Sequence, residues 1–495
     1  MSQVFDVAII GGGINGCGVA ADASLRGLSV ILFEEHDIAS QTSSKSTKLI
    51  HGGLRYLEYF DFSLVKKALG ERQTLLKIAP HLIKPIPIVI PYLQKIRPIW
   101  LIRIGLFIYD HLSPLNKLPL AKYIKRNKEP QYFTKLNPNI NKGLIFYDCA
   151  TDDARLTLAN ALLAKEHGAK IMPHTKLINA KAQDGKWILT LLGKNKQRFQ
   201  IKTKVVINCA GPWVNEVSNL LKIPNQEKVS LVKGSHIVLP KLDDGLHGYM
   251  LENKDKRIIF ALPFYDHTLV GTTETPFIND FNIEEQEINY LLKIINQYFN
   301  KKIEKKDIVD SWSGVRTLIA NKRKSVTALS RDYAIHLSTL LAPSITVYGG
   351  KLTTYRQLAE ETVNLLKKII PNIQTSTTAI TLLPGAKYNE MDFENYQIYA
   401  KEKYIWLDPN TLNRYLKTYG TYTEKIIALC EKQEDLGLCF AETLYQKEID
   451  YLIKEEWATC SDDILWRRTK IGLTIDDTGK KALEDYLCSI VWPIS

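Results

Sequence analysis

The sequence predicts an α/β protein that ends in a helical domain, and three observations lead to this prediction. A strand–glycine–helix–strand pattern opens the chain in residues 5–35. A second buried strand runs into a glycine turn at "VVINCAGPWV", residues 205–214, and the pattern beyond Gly385 is mostly helical. The 495 residues provide material for several domains, at roughly 100–200 residues per domain.

The first pattern has the features of a dinucleotide-binding turn. An apolar run at residues 7–10 predicts a buried parallel strand, and a G-x-G-x-x-G follows at Gly11, Gly13 and Gly16. These glycines permit a tight turn, close approach of a pyrophosphate and close packing of the helix on the strand. The helix N-terminus offers free N–H groups to phosphate, and Glu34 is placed to accept hydrogen bonds from a ribose. Both NAD and FAD carry the adenosine diphosphate that such a turn binds.

Composition and charge exclude several classes of protein. Seven scattered cysteines form no Cys-x-x-Cys pair, so we expect neither a metal site nor a disulfide framework. The chain enters a strand at once, which predicts no signal peptide, and it has no apolar run near the ~20 residues of a membrane span. The net charge is +12, with −6 in residues 386–495 and +18 before them. Anionic lipid, nucleic acid, a phosphorylated substrate or solubility alone could account for this basic excess.

A polar loop, "TSSKSTKLIHGGLRYLEY", occupies residues 42–59. Its hydroxyls and lysines could bind a phosphate or pack along a flavin, although a solvated loop would have the same composition. Arg55 follows a pair of glycines, and its planar guanidinium suits a phosphate or a carboxylate because it donates two hydrogen bonds at once.

Four later blocks contain further candidates for a site. His236 lies in the strand pattern "LVKGSHIVLP", where a buried structural histidine is the ordinary interpretation. Hydroxyls and cations follow in "GTTET", "SWSGVRTL", "RDYAIH" and "YGGKLTTYRQLAE". Each arginine taken alone could form a surface salt bridge. Cations that converge on one cleft would need an anion to balance them, because like charges in a desolvated site repel.

The blocks together resemble the aerobic, FAD-dependent glycerol-3-phosphate dehydrogenases of the D-amino-acid-oxidase-like flavoprotein superfamily. The resemblance rests on "GGGINGCGVAADASLRGLSV", "SSKSTKLIHGGLRYLE", "GSHIV", "GVRTL", "RDY" and "GGKLTTYR", and it covers nearly the whole chain. It implies a Rossmann-type FAD-binding domain (about 1–75, 145–225 and 340–384). A mixed-sheet substrate domain (about 76–144 and 226–339) is interleaved with it, and residues 385–495 form a helical domain that could serve a homodimer.

The resemblance also implies a reaction and a set of residues. The reaction is oxidation of sn-glycerol 3-phosphate to dihydroxyacetone phosphate by hydride transfer to FAD, with electrons passed to membrane quinone. The implied catalytic residues are His236, Arg316 and Lys351, and the general base is either His236 or Lys351. The implied substrate contacts are Arg55, Tyr56, Thr272 and Arg331. The implied FAD contacts are Gly11, Gly13, Asn15, Gly16, Glu34, Thr42, Ser43, Ser46, Lys48, His51, Gly211, Gly350, Leu352 and Thr353.

The block at residues 348–360 favours FAD over NAD. It places two glycines before a predicted helix, whose N-terminus would face the flavin ring, where negative charge develops on reduction. The first glycine-rich turn would hold the pyrophosphate on the adenine side. A NAD-only enzyme has no need of this second helix start.

Residues 94–130 raise the question of a membrane surface, because they contain eight Lys and Arg against two acids. The core "RPIWLIRIGLFIYDHL" could lie in the headgroup layer or form a buried helix with snorkelling arginines. The resembled family attaches peripherally to the cytoplasmic face of the inner membrane. An oxygen-using glycerophosphate oxidase and a flavin-bearing RNA-modifying protein are the alternatives, although the sequence contains no nucleic-acid module.

Overall fold

A computed structural model describes residues 4–93, 96–278, 280–320 and 332–490. The chain passes repeatedly between two β-sheets and then enters a helical C-terminal region, so the predicted α/β class with a helical end is confirmed. Among the described residues, no helix combines the length and the apolar composition that crossing a membrane requires.

The first sheet is built around parallel strands in the order β18-β10-β1-β2-β7, with β17 antiparallel to β18 and with β9 and β8 extending from β10. Its strands are β1 Val4–Ile10, β2 Val30–Phe33, β7 Lys170–Met172, β8 Lys176–Gln183, β9 Lys186–Leu192, β10 Arg198–Asn208, β17 Ala334–Ser338 and β18 Ser344–Tyr348.

Helices cover both faces of this sheet, which explains the unbroken apolar run in β1. Val7 and Ile9 pack in one cluster with α1 Ile14–Leu25, α4 Asp153–Glu166 and α7 Tyr355–Leu365. Ala8 and Ile10 point to the opposite face, where they pack with β8, β9 and α5 Val214–Leu220. A strand that is buried on both faces has no polar position to fill.

The second sheet has the order β15-β11-β14-β13-β12-β4-β6-β3, with β16 paired to β11 and β5 paired to β6. Its strands are β3 Leu49–Ile50, β4 Ile83–Pro91, β5 Lys122–Lys125, β6 Lys142–Thr151, β11 Val229–Pro240, β12 Gly248–Glu252, β13 Ile258–Phe264, β14 His267–Gly271, β15 Thr275–Pro276 and β16 Asp310–Ile319. Side chains from α2 Phe62–Ile78 and α3 Ile99–His111 pack in one apolar cluster on it, and those of α6 Glu285–Tyr298 in another.

The two sheets alternate along the sequence much as an interleaved arrangement requires. Strand β6 lies wholly in the second sheet and β17 in the first, so the sheets change at positions that differ from the expected limits at 145 and 339. The division into domains itself remains a prediction. Because the chain passes repeatedly between the two sheets, the segments that connect them enclose a cavity.

The C-terminal helices share a separate apolar core and dock on the first sheet's helices through buried ion pairs. Their bounds are α8 Phe393–Lys403, α9 Pro409–Tyr419, α10 Thr423–Ile426, α11 Gln446–Glu456 and α12 Asp477–Ser489, with a hairpin of β19 Cys439–Ala441 and β20 Leu444–Tyr445. Arg155 of α4 makes a two-pronged contact with Glu456, with Nη2 at 2.9 Å from Oε1. Arg468 reaches Asp37, which follows β2, with Nη2 at 2.8 Å from Oδ1.

Candidate active site

A cavity of about 610 Å³ runs between the two sheets. One end lies at the carboxyl ends of β1 and β2, where Gly11 and Glu34 line it. The other end reaches Arg316 in β16 and Lys351 just after β18. Ligands of open α/β sheets bind in crevices at this edge, because the turns that follow parallel strands meet there.

The first glycine turn is shaped by close backbone contact. Gly11 has φ +107°, a conformation that residues with a Cβ rarely adopt. A Cβ on Gly16 would lie 1.9 Å from the Gly11 oxygen, so Gly16 serves helix–strand packing and does not line the cavity. The Ile14 N–H at the start of α1 donates to Ser43 Oγ at 2.9 Å, which ties the polar loop to the helix N-terminus.

Glu34 closes the far end of the cavity. Its Oε2 accepts from the Gly12 N–H at 2.7 Å, and its Oε1 accepts from the His36 N–H at 2.9 Å. Burial raises the pKa of Glu34, while the two backbone hydrogen bonds oppose this shift. The carboxyl group is therefore fixed beside the first glycine turn, which is the position expected from the sequence for an adenosine ribose contact.

The second glycine-rich block meets the first. The Asn15 Nδ2 donates to the Gly349 oxygen at 3.0 Å, and Gly349 and Gly350 have φ of +72° and +104°. A Cβ on Gly350 would lie 2.8 Å from Asn15 Nδ2, so this approach requires glycine. Next to it, the Lys351 Nζ lies 4.0 Å from the centre of the Tyr56 ring. The two helix starts therefore form one continuous wall.

Arg316 is positioned by strands β16 and β11 and by the segment between β14 and β15. Strand β16 pairs with β11 so that Arg316 lies opposite Val232, and its Nη2 donates to Thr272 Oγ1 at 3.2 Å. Its Nη1 lies 3.6 Å from Glu274 Oε1. A Cβ on Gly234 would lie 3.0 Å from Arg316 Nη2, so this glycine makes room for the guanidinium.

His236 does not line the cavity, which differs from the position expected for a base in contact with substrate. It lies in β11 with 1% of its surface exposed, and its Nε2 is 3.0 Å from Thr47 Oγ1, which does line the cavity. Burial, with the cations Arg316 and Lys48, holds the pKa of His236 well below its ordinary value. The imidazole is therefore neutral at pH 7, and its protonated form is disfavoured.

Lys48 also differs from its expected position. Its Nζ is buried against Asp153 Oδ1 at 2.6 Å and is not among the atoms that line the cavity. Ser46 Oγ donates to the same carboxylate at 2.7 Å. Lys45 lines the cavity instead, and burial, with nearby Arg467, lowers its pKa. The loop thus faces the cavity through hydroxyls and Lys45, while Lys48 anchors it from behind.

Most of the predicted site residues line the cavity. Those on the cavity wall are Gly11, Gly13, Asn15, Glu34, Thr42, Ser43, Ser46, His51, Arg55, Tyr56, Gly211, Thr272, Arg316, Gly350, Lys351, Leu352 and Thr353. Arg331 lies outside the described residues.

Sequence reasoning missed several wall residues, namely Lys45, Asp148, Gly234 and Glu274. A glycine inside a strand pattern is a signal of close approach, so Gly234 could have been found. Glu274 stands in the quoted "GTTET" block, but its pairing with Arg316 depends on the contact of β16 with the segment between β14 and β15.

The residues present fit a dinucleotide. The close contact of Gly16 with Gly11 allows α1 to begin close to β1, and the turn has no side chain at Gly13. The cavity then continues from Glu34 to the second helix start. In addition, Asn15 Oδ1 is buried without a hydrogen-bond partner in the described part of the chain. A buried carbonyl of this kind calls for a donor. The arrangement is that of a dinucleotide-dependent enzyme.

Comparison with known proteins identifies the family. The FAD-dependent oxidoreductase family matches residues 6–341, and the C-terminal domain of alpha-glycerophosphate oxidase matches residues 376–488. The chain belongs to the FAD-dependent oxidoreductase family, and the predicted resemblance is confirmed.

Two relatives and one solved structure show how far the similarity extends. A glycerol-3-phosphate dehydrogenase of Pseudomonas aeruginosa is 42% identical over 99% of this chain and 96% of the relative. A D-erythritol 1-phosphate dehydrogenase of Brucella abortus is 40% identical over 98% of each chain. The X-ray structure of the glycerol-3-phosphate dehydrogenase from Bacillus halodurans complexed with FAD has a TM-score of 0.78 and 25% identity, and it covers 98% of this chain and 94% of that one.

Proposed function

We propose that this enzyme oxidises sn-glycerol 3-phosphate to dihydroxyacetone phosphate, with FAD as the first electron acceptor. The observation that carries the proposal is the convergence of Arg55, Arg316 and Lys351, from three distant segments, on one end of the cavity. Cations held together in a partly dehydrated cavity favour an anionic ligand. The Pseudomonas relative acts, by its name, on glycerol 3-phosphate, and the Brucella relative on another polyol phosphate.

The substrate phosphate is assigned to Arg55 and Tyr56, and Arg331 is proposed as a further partner. Arg55 Nε is buried without a hydrogen-bond partner among the residues that the structure describes. A guanidinium N–H in this state is suited to a phosphate oxygen, which accepts charge-assisted hydrogen bonds. Arg316 and Thr272 then lie at the alcohol end, where a substrate oxygen would replace solvent.

FAD would be held by the wall residues of the two glycine-rich blocks and by Thr42, Ser43 and His51. When bound, FAD supplies the two-electron acceptor for oxidation of the secondary alcohol. Lys351 and the helix start at residues 352–354 place positive potential at the end of the cavity that Arg316 reaches. This potential would stabilise the negative charge that develops on the flavin ring on reduction.

The hydroxyl proton needs a base, and two candidates remain. The neutral ring of His236 can accept a proton through Thr47, whose Oγ1 lies 3.0 Å from the ring, but burial opposes the cationic product. Lys351 lines the cavity directly. A His236→Gln variant that reduces its flavin as fast as the parent would assign the base to Lys351.

The test of the proposed function is anaerobic reduction of the purified holoenzyme. We expect the flavin absorbance to bleach on addition of glycerol 3-phosphate, and less efficiently with D-erythritol 1-phosphate. Arg316→Gln should retain flavin and slow the bleaching by at least tenfold. If glycerol 3-phosphate leaves the parent spectrum unchanged, the proposal is wrong; stoichiometric peroxide without added quinone would favour the oxidase alternative.

A membrane surface and quinone are proposed as the next partners. Helix α3 exposes Trp100 and Phe107, at 60% and 64% of their surfaces, so it is not the buried core helix of the alternative interpretation. Arg103 is exposed beside this apolar face, whereas Arg97 is 17% exposed and pairs with Glu58 and Glu252. Such a helix is suited to the headgroup layer of an anionic membrane, which here means peripheral attachment at the cytoplasmic face of the inner membrane.

Attachment is tested by flotation with vesicles of anionic phospholipid. The parent should bind at low salt and detach at high salt, because Debye screening weakens the basic contribution. A Trp100→Ser, Phe107→Ser variant should bind at least tenfold more weakly, whereas Ile405→Ser, which removes an exposed apolar group from the C-terminal region, should bind like the parent. Equal binding of the parent and the double variant would contradict the assignment to α3.

A further inference from the structure

A buried polar unit lies behind the segment that carries Arg55. The Tyr109 hydroxyl in α3 accepts from the Gly52 N–H at 2.7 Å and donates to Asp148 Oδ1 at 2.7 Å. Asp148 in β6 also accepts from Arg72 Nη1, in α2, at 2.6 Å. Arg72, Asp148 and Tyr109 are 1%, 3% and 1% exposed, and we call these three residues the buried triad.

Both terminal nitrogens of Arg72 are hydrogen-bonded, whereas its buried Nε has no partner among the described residues. Arg72 Nη1 also donates to the Tyr147 oxygen at 2.9 Å, and its Nη2 donates to Asn116 Oδ1 at 2.9 Å. Arg72, which is not among the residues that line the cavity, donates to Asp148, which does line it, and Asp148 orients the Tyr109 hydroxyl. Buried ion pairs add little net stability, since desolvation offsets their attraction, so their effect is largely on geometry.

The contact with Gly52 bears on the substrate end of the cavity. A Cβ on Gly52 would lie 2.5 Å from Leu69 Cδ2 and 2.8 Å from Tyr109 Cε2, so the backbone is pressed against α2 and α3. Gly53 follows with φ +79°, and the Tyr56 N–H donates to the Gly53 oxygen at 2.9 Å. The orientation of the Gly52 peptide therefore sets the direction in which the turn with Arg55 and Tyr56 leaves.

We propose that the buried triad positions the Gly52–Tyr56 segment for the substrate anion, and that Tyr109 is the residue through which it acts. None of the three residues has to touch the substrate phosphate, since each acts through Arg55 and Tyr56. This inference rests on the proposed function, in which those two residues bind the phosphate. It also gives α3 a role in the site in addition to its exposed face.

The decisive variant is Tyr109→Phe, which removes the hydroxyl that accepts from the Gly52 N–H and donates to Asp148. We expect the Gly52 peptide to turn and to displace Arg55 and Tyr56, with roughly a 5- to 30-fold increase in KM for glycerol 3-phosphate, which converts to about 1–2 kcal/mol. We expect kcat within about twofold of the parent, because the reacting end of the cavity is untouched. The matched control is Tyr298→Phe. It removes a buried hydroxyl that donates to the Glu252 oxygen at 2.6 Å, and neither residue lines the cavity.

A second experiment separates positioning from general stability. In an Arg55→Ala background, Tyr109→Phe should raise KM by a smaller factor than in the parent, since Arg55 is gone and only Tyr56 remains for it to act through. A full additional increase in the double variant, or an unchanged KM in folded Tyr109→Phe, overturns the proposal. If Tyr109→Phe does not fold, Arg72→Lys replaces it, with a KM increase in the same direction expected and an unchanged KM contradicting the role.

Failure of the positioning role of the triad can be distinguished from failure of the proposed function. Bleaching of the parent by glycerol 3-phosphate tests the function, and only the comparison between variants tests the triad. If the parent is not bleached, inorganic phosphate is titrated against the flavin absorbance of both holoenzymes. Equal phosphate affinity of the parent and Tyr109→Phe would then overturn the positioning role, and an affinity at least fivefold weaker in the variant would support it.

Discussion

The side-chain amide of Asn15 donates a hydrogen bond to the backbone oxygen of Gly349 at 3.0 Å, across 334 positions of sequence. This bond joins the N-terminal ends of α1 and of the helical segment after β18. Both ends are rich in glycine, and both line the cavity. This polar side chain therefore joins the two halves of the proposed cofactor site, whose helices α1 and α7 also pack in one apolar cluster.

Asn15→Ala should weaken FAD binding. It leaves the Gly349 oxygen without this donor, and a lost buried hydrogen bond costs about 1–2 kcal/mol, or roughly a 5- to 30-fold increase in the Kd for FAD. Titration of deflavinated protein with FAD measures the effect. The control is Asn219→Ala, at an exposed position of α5, for which we expect no change. An unaltered Kd in Asn15→Ala would mean that the two halves are held together elsewhere.

Gly16→Ala should abolish flavin retention, because its Cβ would lie 1.9 Å from the Gly11 oxygen and force α1 away from β1. Gly70→Ala is the matched control within α2, where an added Cβ meets no atom within 4 Å. That variant should be more stable by about 0.5–1 kcal/mol, since alanine loses less conformational freedom in a helix. The flavin-to-protein absorbance ratio reports the first result and denaturant unfolding the second. Parent-like flavin content in Gly16→Ala would refute the packing role.

Two adjacent glutamates should differ sharply in their effect on stability. Glu456 is buried against Arg155, and its replacement by Gln leaves a buried guanidinium unbalanced, at a cost of about 3–5 kcal/mol. Glu455 pairs with Lys165 at 3.0 Å, with 38% of its side chain exposed, and Glu455→Gln should cost less than about 1 kcal/mol. Thermal unfolding of the two variants checks this, and similar losses for both would contradict the assigned role of Arg155 in docking the C-terminal helices.

We expect the buried His81 to make the protein less stable in mild acid. Burial, with Arg155 and Lys84, lowers its pKa to about 3, while the unfolded chain protonates it near 6.5. Between these values the unfolded state binds more protons, so stability is lost as pH falls below about 6.5, by up to ~1.4 kcal/mol per pH unit. In His81→Gln the drop in unfolding free energy from pH 7.5 to 5.5 should be smaller, whereas exposed His111→Gln should match the parent. Identical pH dependence in His81→Gln and the parent would argue against a buried neutral histidine.

Local patterns predicted the first half of the site well, because its parts interact over short distances. The strand, the turn at Gly11 and the acid at Glu34 lie within one β–α–β unit, and the structure brings them together. The exposed apolar face of α3 was also recognisable from composition. The sequence left open whether α3 is a surface helix or a core helix, since periodicity alone does not say which face is covered.

The rest of the site depends on pairings between distant segments. Strand alternation placed His236 on one face of β11 but could not tell the cavity wall from the layer behind Thr47. Lys48 looked like a cofactor ligand, yet Asp153, 105 positions away, binds its ammonium. Glu274, in the segment between β14 and β15, meets Arg316 of β16. Sequence spacing carries no information about such contacts.

The order of strands in the first sheet has a consequence for the making of the protein. Strand β1 is synthesised well before its neighbour β10, which ends at Asn208, and before β18, beside β10, which ends at Tyr348. A nascent chain shorter than this contains only part of the cofactor cradle. The parallel pairings of β1 with β10 and of β10 with β18 therefore join segments far apart in sequence, and both are complete only after Tyr348 has been synthesised.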